Sequence, residues 1–270
     1  MTAFLGLSGY RWLLLLAAAQ TMLLLADALI GHYRSGFVLK AQHLPFVLGG
    51  VLALTAIAAA VAPEASVVRG AAISAGAVTI AGGLTGMAYH HWYGITTQPG
   101  GYRWLLHHLL HQAPPLAPLG LSVAGALVML GALGASGTEL LYGARIGSLV
   151  LAVLVGALTA LSIQVGLLHY RGAYNNVAMY SPVIVLPVTA AATLWYALEP
   201  TNATQALASF LFVATSLSGF VGAGMHLRGI DRQMGGLYMG VASILDAPPP
   251  AAPLLVSALG ACGVVAVQLL

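Results

Sequence analysis

The chain has 270 residues, 60% of them hydrophobic and 6% charged, with a formal net charge of +3. Soluble domains carry about 25% charged residues, so the composition excludes a soluble globular fold; no nucleic-acid partner is expected. The one cysteine, Cys262, excludes an internal disulfide and a cysteine metal cluster.

Segments of about 20 apolar residues are long enough to cross a bilayer core. Eight are predicted, in chain order: Trp12–Gly31, Leu44–Ala62, Gly70–His90, Pro114–Gly134, Ile146–His169, Ser181–Leu198, Ala206–His226 and Pro248–Leu269. The connections are short except Trp92–Ala113 and Leu227–Ala247. The first segment has the outline of a signal peptide, with Arg11, an apolar run and Ala26-Asp27-Ala28. We read it as a helix of the fold, because Asp27 and His32 belong to an internal repeat.

That repeat sets the expected architecture. At an offset of 135, His91, Gly94, Ile95, Gln98, Gly100 and Gly101 fall on His226, Gly229, Ile230, Gln233, Gly235 and Gly236. Pro114, Pro115 and Pro118 fall on Pro249, Pro250 and Pro253 at the same offset. Upstream, an offset of 137 puts Asp27, His32, Arg34, Pro45 and Pro63 on Gln164, His169, Arg171, Pro182 and Pro200. Two residues are therefore missing from the second copy, between Pro200 and His226. Four helices per copy is an even number, so both copies enter the membrane from one side. The expectation is an all-α integral membrane protein of eight transmembrane helices in two parallel tandem four-helix repeats, residues 1–134 and 135–270. The glycine-rich stretches Ala81–Gly86 and Gly219–Gly224 predict close backbone approach, around the axis relating the copies.

Within each copy an odd-numbered helix ends in histidine and a proline opens the next helix. The four connections begin at His32, His91, His169 and His226. This puts all nine histidines on or near one membrane face, which also carries Arg34, Lys40, Arg103, Arg171, Arg228 and Arg232. The other face has Arg11, Arg69 and Arg145 beside Glu64, Glu139 and Glu199. The positive-inside rule makes the histidine face cytoplasmic in a bacterial inner membrane.

Two readings of these histidines stand side by side. Helix C-termini favour His and Arg, glycine supplies a left-handed cap, and Gly94, Gly172 and Gly229 suit that role, so the motif can be a repeated helix stop. The functional reading starts from the choice of His where Lys or Arg would serve. It adds Asp27 and Gln164, polar residues in membrane helices, which are costly and point to function. Five residues separate Asp27 from His32, about 140° around the helix, so Asp27 is expected to meet a histidine of another helix.

The first copy is richer in histidine. It has His43 where the second has Tyr180, and His90 beside His91. Its Gly101–Gln112 connection reads as an amphipathic interfacial helix. Arg103, His107 and His111 form one stripe, and the i, i+4 histidines can share a metal ion. The second copy has Ala242, Ser243 and Asp246 where the first has His107, His108 and His111.

Paired imidazoles from several helices suit b-type haem or copper, zinc or iron. Arg34, Arg171 and Arg228 suit haem propionates or another anionic group. Tyr33, Trp92, Tyr93, Tyr170 and Tyr174 suit a flat ring. The candidate cofactor ligands are thus His32, His91, His169 and His226 with Arg34, Arg171 and Arg228. The candidate metal ligands are His43, His107, His111, Asp27 and Asp246. No phosphate loop, dinucleotide fingerprint or nucleophile–base pair is present, and the only lysine, Lys40, lies outside the helices, which excludes a retinal Schiff base. Leu106–Leu116 resembles a His- and Pro-rich segment of the membrane proteins that assist copper insertion into cytochrome oxidase, and the resemblance implies copper. Three functions follow as expectations: a redox subunit binding haem or quinone and exchanging electrons with a partner, a copper or zinc carrier or assembly factor, and a membrane anchor that binds lipid or a partner subunit.

Overall fold

A computed structural model describes residues 6–233, 241–246 and 248–270. Among these the chain is helical apart from one two-stranded hairpin. The helices are α1 (Gly9–Arg34), α2 (Leu44–Val61), α3 (Ser66–His91), α4 (Leu105–His111), α5 (Leu119–Ala135), α6 (Ile146–Arg171), α7 (Tyr180–Leu198), α8 (Asn202–Gln233), α9 (Val241–Asp246) and α10 (Ala251–Ala266). Six of them, α1, α2, α3, α6, α7 and α8, are long and apolar enough to cross a membrane. With many large apolar side chains of these helices exposed, among them Val47, Leu54, Val78, Phe210, Leu217 and Phe220, the surroundings they fit are the acyl chains of a bilayer.

The other two apolar helices are shorter than expected. α5 spans 17 residues and α10 spans 16, against predicted spans beginning at Pro114 and Pro248. The proline-rich lead-ins cause the difference. A proline disfavours helical backbone in the residue before it, and Pro114, Pro115 and Pro118 precede α5 as Pro248, Pro249 and Pro250 precede α10. Helix therefore starts only at Leu119 and Ala251.

These short helices sit centrally. α1 packs on α2, α5 and α10, α3 packs on α5, α8 packs on α10, and α6 packs on α7, α5 and α10. Leu13, Leu14, Leu127, Val128, Leu151, Leu154 and Leu158 are fully buried there. Arg11 fastens the opposite ends of α1 and α2. Its Nε donates to the Ala60 carbonyl at 2.5 Å and its Nη2 to the Val61 carbonyl at 3.4 Å, meeting the carbonyls left open at the end of α2.

The small residues work between neighbouring helices of the same half. A Cβ on Gly76 would stand 2.6 Å from the Gly125 carbonyl oxygen, and one on Gly125 would stand 2.6 Å from that of Gly76. α3 and α5 thus touch backbone to backbone. In the same way Gly219 faces Ser257 of α10, and Ser216 and Ser257 donate to each other's carbonyl oxygens at 3.1 and 2.8 Å. The glycine stretches pack α3 on α5 and α8 on α10, not the two halves on each other as expected.

Two turns have closely similar geometry. Phe37 N donates to the His32 carbonyl and Tyr174 N to that of His169, both at 3.1 Å. Residues 36 and 37 have φ of 74° and 49°, and residues 173 and 174 have 57° and 46°. Phe37, Ala173 and Tyr174 are not glycine, so each holds a left-handed conformation that L-residues rarely adopt. The linker between α5 and α6 is a hairpin, Leu140–Leu141 paired with Ala144–Arg145. Its turn residues Tyr142 and Gly143 both have positive φ, which suits a two-residue hairpin.

Candidate histidine face

The helix-stop reading fails for His226. α8 continues seven residues past it to Gln233, so His226 lies within the helix and Gly229 is no cap. Gly94 lies in a π-helical turn, Trp92–Thr96. Only Gly172 ends a helix, and with φ −79° it is not left-handed.

Three imidazoles are each fixed by a backbone carbonyl. His90 Nδ1 lies 2.8 Å from the Pro114 carbonyl oxygen, and His226 Nδ1 lies 3.0 Å from that of Pro249. His169 Nδ1 lies 2.7 Å from the carbonyl oxygen of Met179. A carbonyl only accepts, so in all three rings Nδ1 carries the proton. In the neutral ring Nε2 then keeps its lone pair.

His32 is held differently. Gln42 Oε1 accepts from Leu39 N at 2.8 Å, which orients the amide. Its Nε2 then donates to Ser35 Oγ at 2.7 Å and to His32 Nδ1 at 3.3 Å. Ser35 Oγ donates in turn to the His32 carbonyl at 2.9 Å. Because Nδ1 of His32 accepts, the neutral ring has its proton on Nε2.

His90, not His91, makes the contact with a proline-turn carbonyl that His226 makes, at an offset of 136. His91 turns elsewhere, and its Nε2 meets the Tyr102 hydroxyl.

Imidazoles come together in pairs. The His32 and His90 rings are 6.3 Å apart and nearly perpendicular, at 85°. Phe37 and Phe46 flank His32 at 6.0 and 6.4 Å. His43, exposed, lies tilted at 32° against Phe37 at 4.9 Å, and Tyr180 stacks on Tyr174 at 4.4 Å. On α4, His107 and His111 stack at 4.5 Å with 23° between their planes. Both are exposed, as the amphipathic reading of this helix requires. Among the described residues, no group of three or more His, Cys, Asp or Glu side chains is placed to hold a metal ion.

Asp27 meets no histidine among the described contacts. Its charged neighbour is Arg34, and its buried Oδ1 has no hydrogen-bond partner. Gln164 accepts from Leu116 N at 3.2 Å through Oε1, while its Nε2 is buried and unpartnered. Arg34 donates through Nε to the Leu245 carbonyl oxygen, joining the end of α1 to α9. Arg171 and Arg228 are exposed. The side chain of Asp246 lies outside the described residues.

Sequence reasoning missed two histidines. His90 was passed over for its neighbour, since which of two adjacent histidines meets the Pro114 carbonyl is set by how α3 packs on the turn into α5. His108 is buried at 4% exposure. Its Nε2 donates to the Pro99 carbonyl at 3.1 Å and its buried Nδ1 has no partner. Ser243, also buried at 2%, stands at the same position of the second half, so a buried polar residue recurs there. Comparison with known protein families, with curated proteins and with solved structures finds no match to this chain.

Proposed function

We propose that this chain is a redox subunit of a bacterial inner membrane, which binds b-type haem or quinone at its histidine face and exchanges electrons with a partner subunit. The observation that carries the reading is the fixing of His90, His169 and His226 through Nδ1 by backbone carbonyls. Imidazoles that ligate metals almost always donate their other N–H in this way, which sets the tautomer and the ring orientation. The cofactor ligands are drawn from His32, His90, His169 and His226, with His90 in the place first given to His91. Arg34, Arg171 and Arg228 serve anionic groups at the same level.

The architecture behind the reading is two parallel four-helix repeats, residues 1–134 and 135–270, with α5 and α10 completing eight spans. Its support is the like geometry of the turns after His32 and His169, and the like contacts of His90 and His226. We place the histidine face on the cytoplasmic side.

Absorption spectroscopy and metal analysis of protein purified in mild detergent test the reading, with extraction for quinone. A Soret band or stoichiometric quinone is the expected result. Copper or zinc without a Soret band favours a metal carrier or assembly factor, for which the exposed, stacked His107–His111 pair is the specific observation. Protein without haem, quinone or metal overturns both and leaves the lipid- or partner-binding anchor.

A further inference from the structure

We propose that a groove in the first half, between the end of α3 and the turn entering α5, binds the head group of a membrane-dissolved quinone, with His91 and Tyr102 as the hydrogen-bonding pair and Trp92 as the aromatic wall. This rests on the redox reading above, names quinone as the cofactor of this groove, and sets it apart from the four imidazoles offered there as cofactor ligands.

The groove has a volume of about 430 Å³ and is lined by Met87, Ala88, His91, Trp92, Pro115 and Leu116. Small-molecule sites run from about 300 to 1,000 Å³ and combine mostly apolar walls with a few placed polar groups. Here the walls are apolar and the imidazole of His91 is their ionisable group. Both sides are held in place. His90 Nδ1–H donates to the Pro114 carbonyl at 2.8 Å, and the Gln164 amide oxygen accepts from Leu116 N at 3.2 Å. A groove fixed in this way costs less to order when a ligand binds. Trp92 opens the π-helical turn, a feature that recurs at functional sites. It is 54% exposed and makes no ring contact among the described residues, so its face is open to a flat ring.

The polar pair suits both redox forms of a quinone. His91 Nε2 shares a hydrogen bond with the Tyr102 hydroxyl, their rings 5.6 Å apart. His91 Nδ1 makes no hydrogen bond among the described residues. When the phenol donates to Nε2, the neutral ring has its proton on Nδ1 and offers it to a quinone carbonyl. When Nε2–H donates to the phenol oxygen, Nδ1 keeps a lone pair that accepts from a quinol hydroxyl. His90, His169 and His226 lack this freedom, because a carbonyl holds each Nδ1–H. The second half lacks the set. At the offset of 135, Trp92, Tyr102 and Leu116 fall on Leu227, Leu237 and Ala251, so the site occurs once per chain. Ala88 stands one turn beyond the exposed Leu84 of α3, and an isoprenoid tail leaves along that lipid-facing side.

The test uses the full chain in mild detergent and a photoreactive azido-benzoquinone with a decyl tail, competed by the same quinone without the azide. Labelling should saturate at one probe per chain, and the labelled peptides should contain residues 87–92 or 115–116. His91→Phe and Trp92→Leu should each weaken binding of the competitor by about tenfold, the loss of ~1.4 kcal/mol. Trp195→Leu, in α7, should leave it unchanged. Should a groove variant fail to fold, the labelled peptides of the parent chain still decide. Labelling that does not saturate, labelled peptides outside the groove, or unchanged affinity in His91→Phe overturns the proposal. If the natively purified protein carries haem and the probe leaves the groove unlabelled, this site falls and the redox reading stands. If the probe labels the groove and the natively purified protein carries neither haem nor quinone, the redox reading falls and the site stands.

Discussion

His90 holds the Pro114 carbonyl at 2.8 Å, and His226 holds the Pro249 carbonyl at 3.0 Å. The contact ties α3 to the turn entering α5, and α8 to the turn entering α10. Replacing either ring by phenylalanine leaves a half-buried carbonyl without its donor. Such a loss costs about 1–3 kcal/mol. We expect His90→Phe and His226→Phe to lower thermal stability in detergent to a similar degree, and His91→Phe to have a smaller effect. Destabilisation by His91→Phe alone would mean that His91, and not His90, holds the turn into α5.

The close approach of α3 and α5 predicts a sharp contrast between two glycines. Gly76→Ala puts a methyl 2.6 Å from a backbone oxygen, whereas Gly50→Ala meets nothing within 4 Å. Overpacking costs about 1–3 kcal/mol, while alanine in a free helical position gains up to about 1 kcal/mol over glycine. Denaturation curves should therefore move in opposite directions for the two variants. Equal shifts would mean that the helices are not in backbone contact.

Eight spans give a labelling pattern that six do not. In a Cys262→Ala background, single cysteines at Gly36 and Ala173 should react with an impermeant thiol reagent from one side. Cysteines at Glu64, Gly137 and Glu199 should react from the other. If α5 does not cross, Gly36 and Ala173 will label from opposite sides.

The π-helical turn Trp92–Thr96 adds one residue to a helix that α8 continues without interruption. Deleting Tyr93 should let α3 run on as regular α-helix. We expect helix content by circular dichroism to stay unchanged and the His91–Tyr102 contact to be lost. A deletion variant that fails to fold would make the inserted residue a structural requirement.

The sequence by itself determined the solvent and the helices. With 6% charged residues, the chain has too little polar surface for water, and six of the predicted spans recur in the structure as helices long enough to cross a membrane. It also put histidines at matching places in the two halves, because an offset between like residues needs no coordinates. Tertiary structure decided which partner each of these histidines meets. Neighbouring residues of α3 point about 100° apart, and packing against the turn into α5 decides that His90 meets the Pro114 carbonyl while His91 meets Tyr102. Whether His32 carries its proton on Nδ1 or Nε2 depends on whether an amide donor or a carbonyl acceptor stands beside it. That choice is made by Gln42 and Met179, ten residues along the chain from His32 and His169 and brought back by the turn.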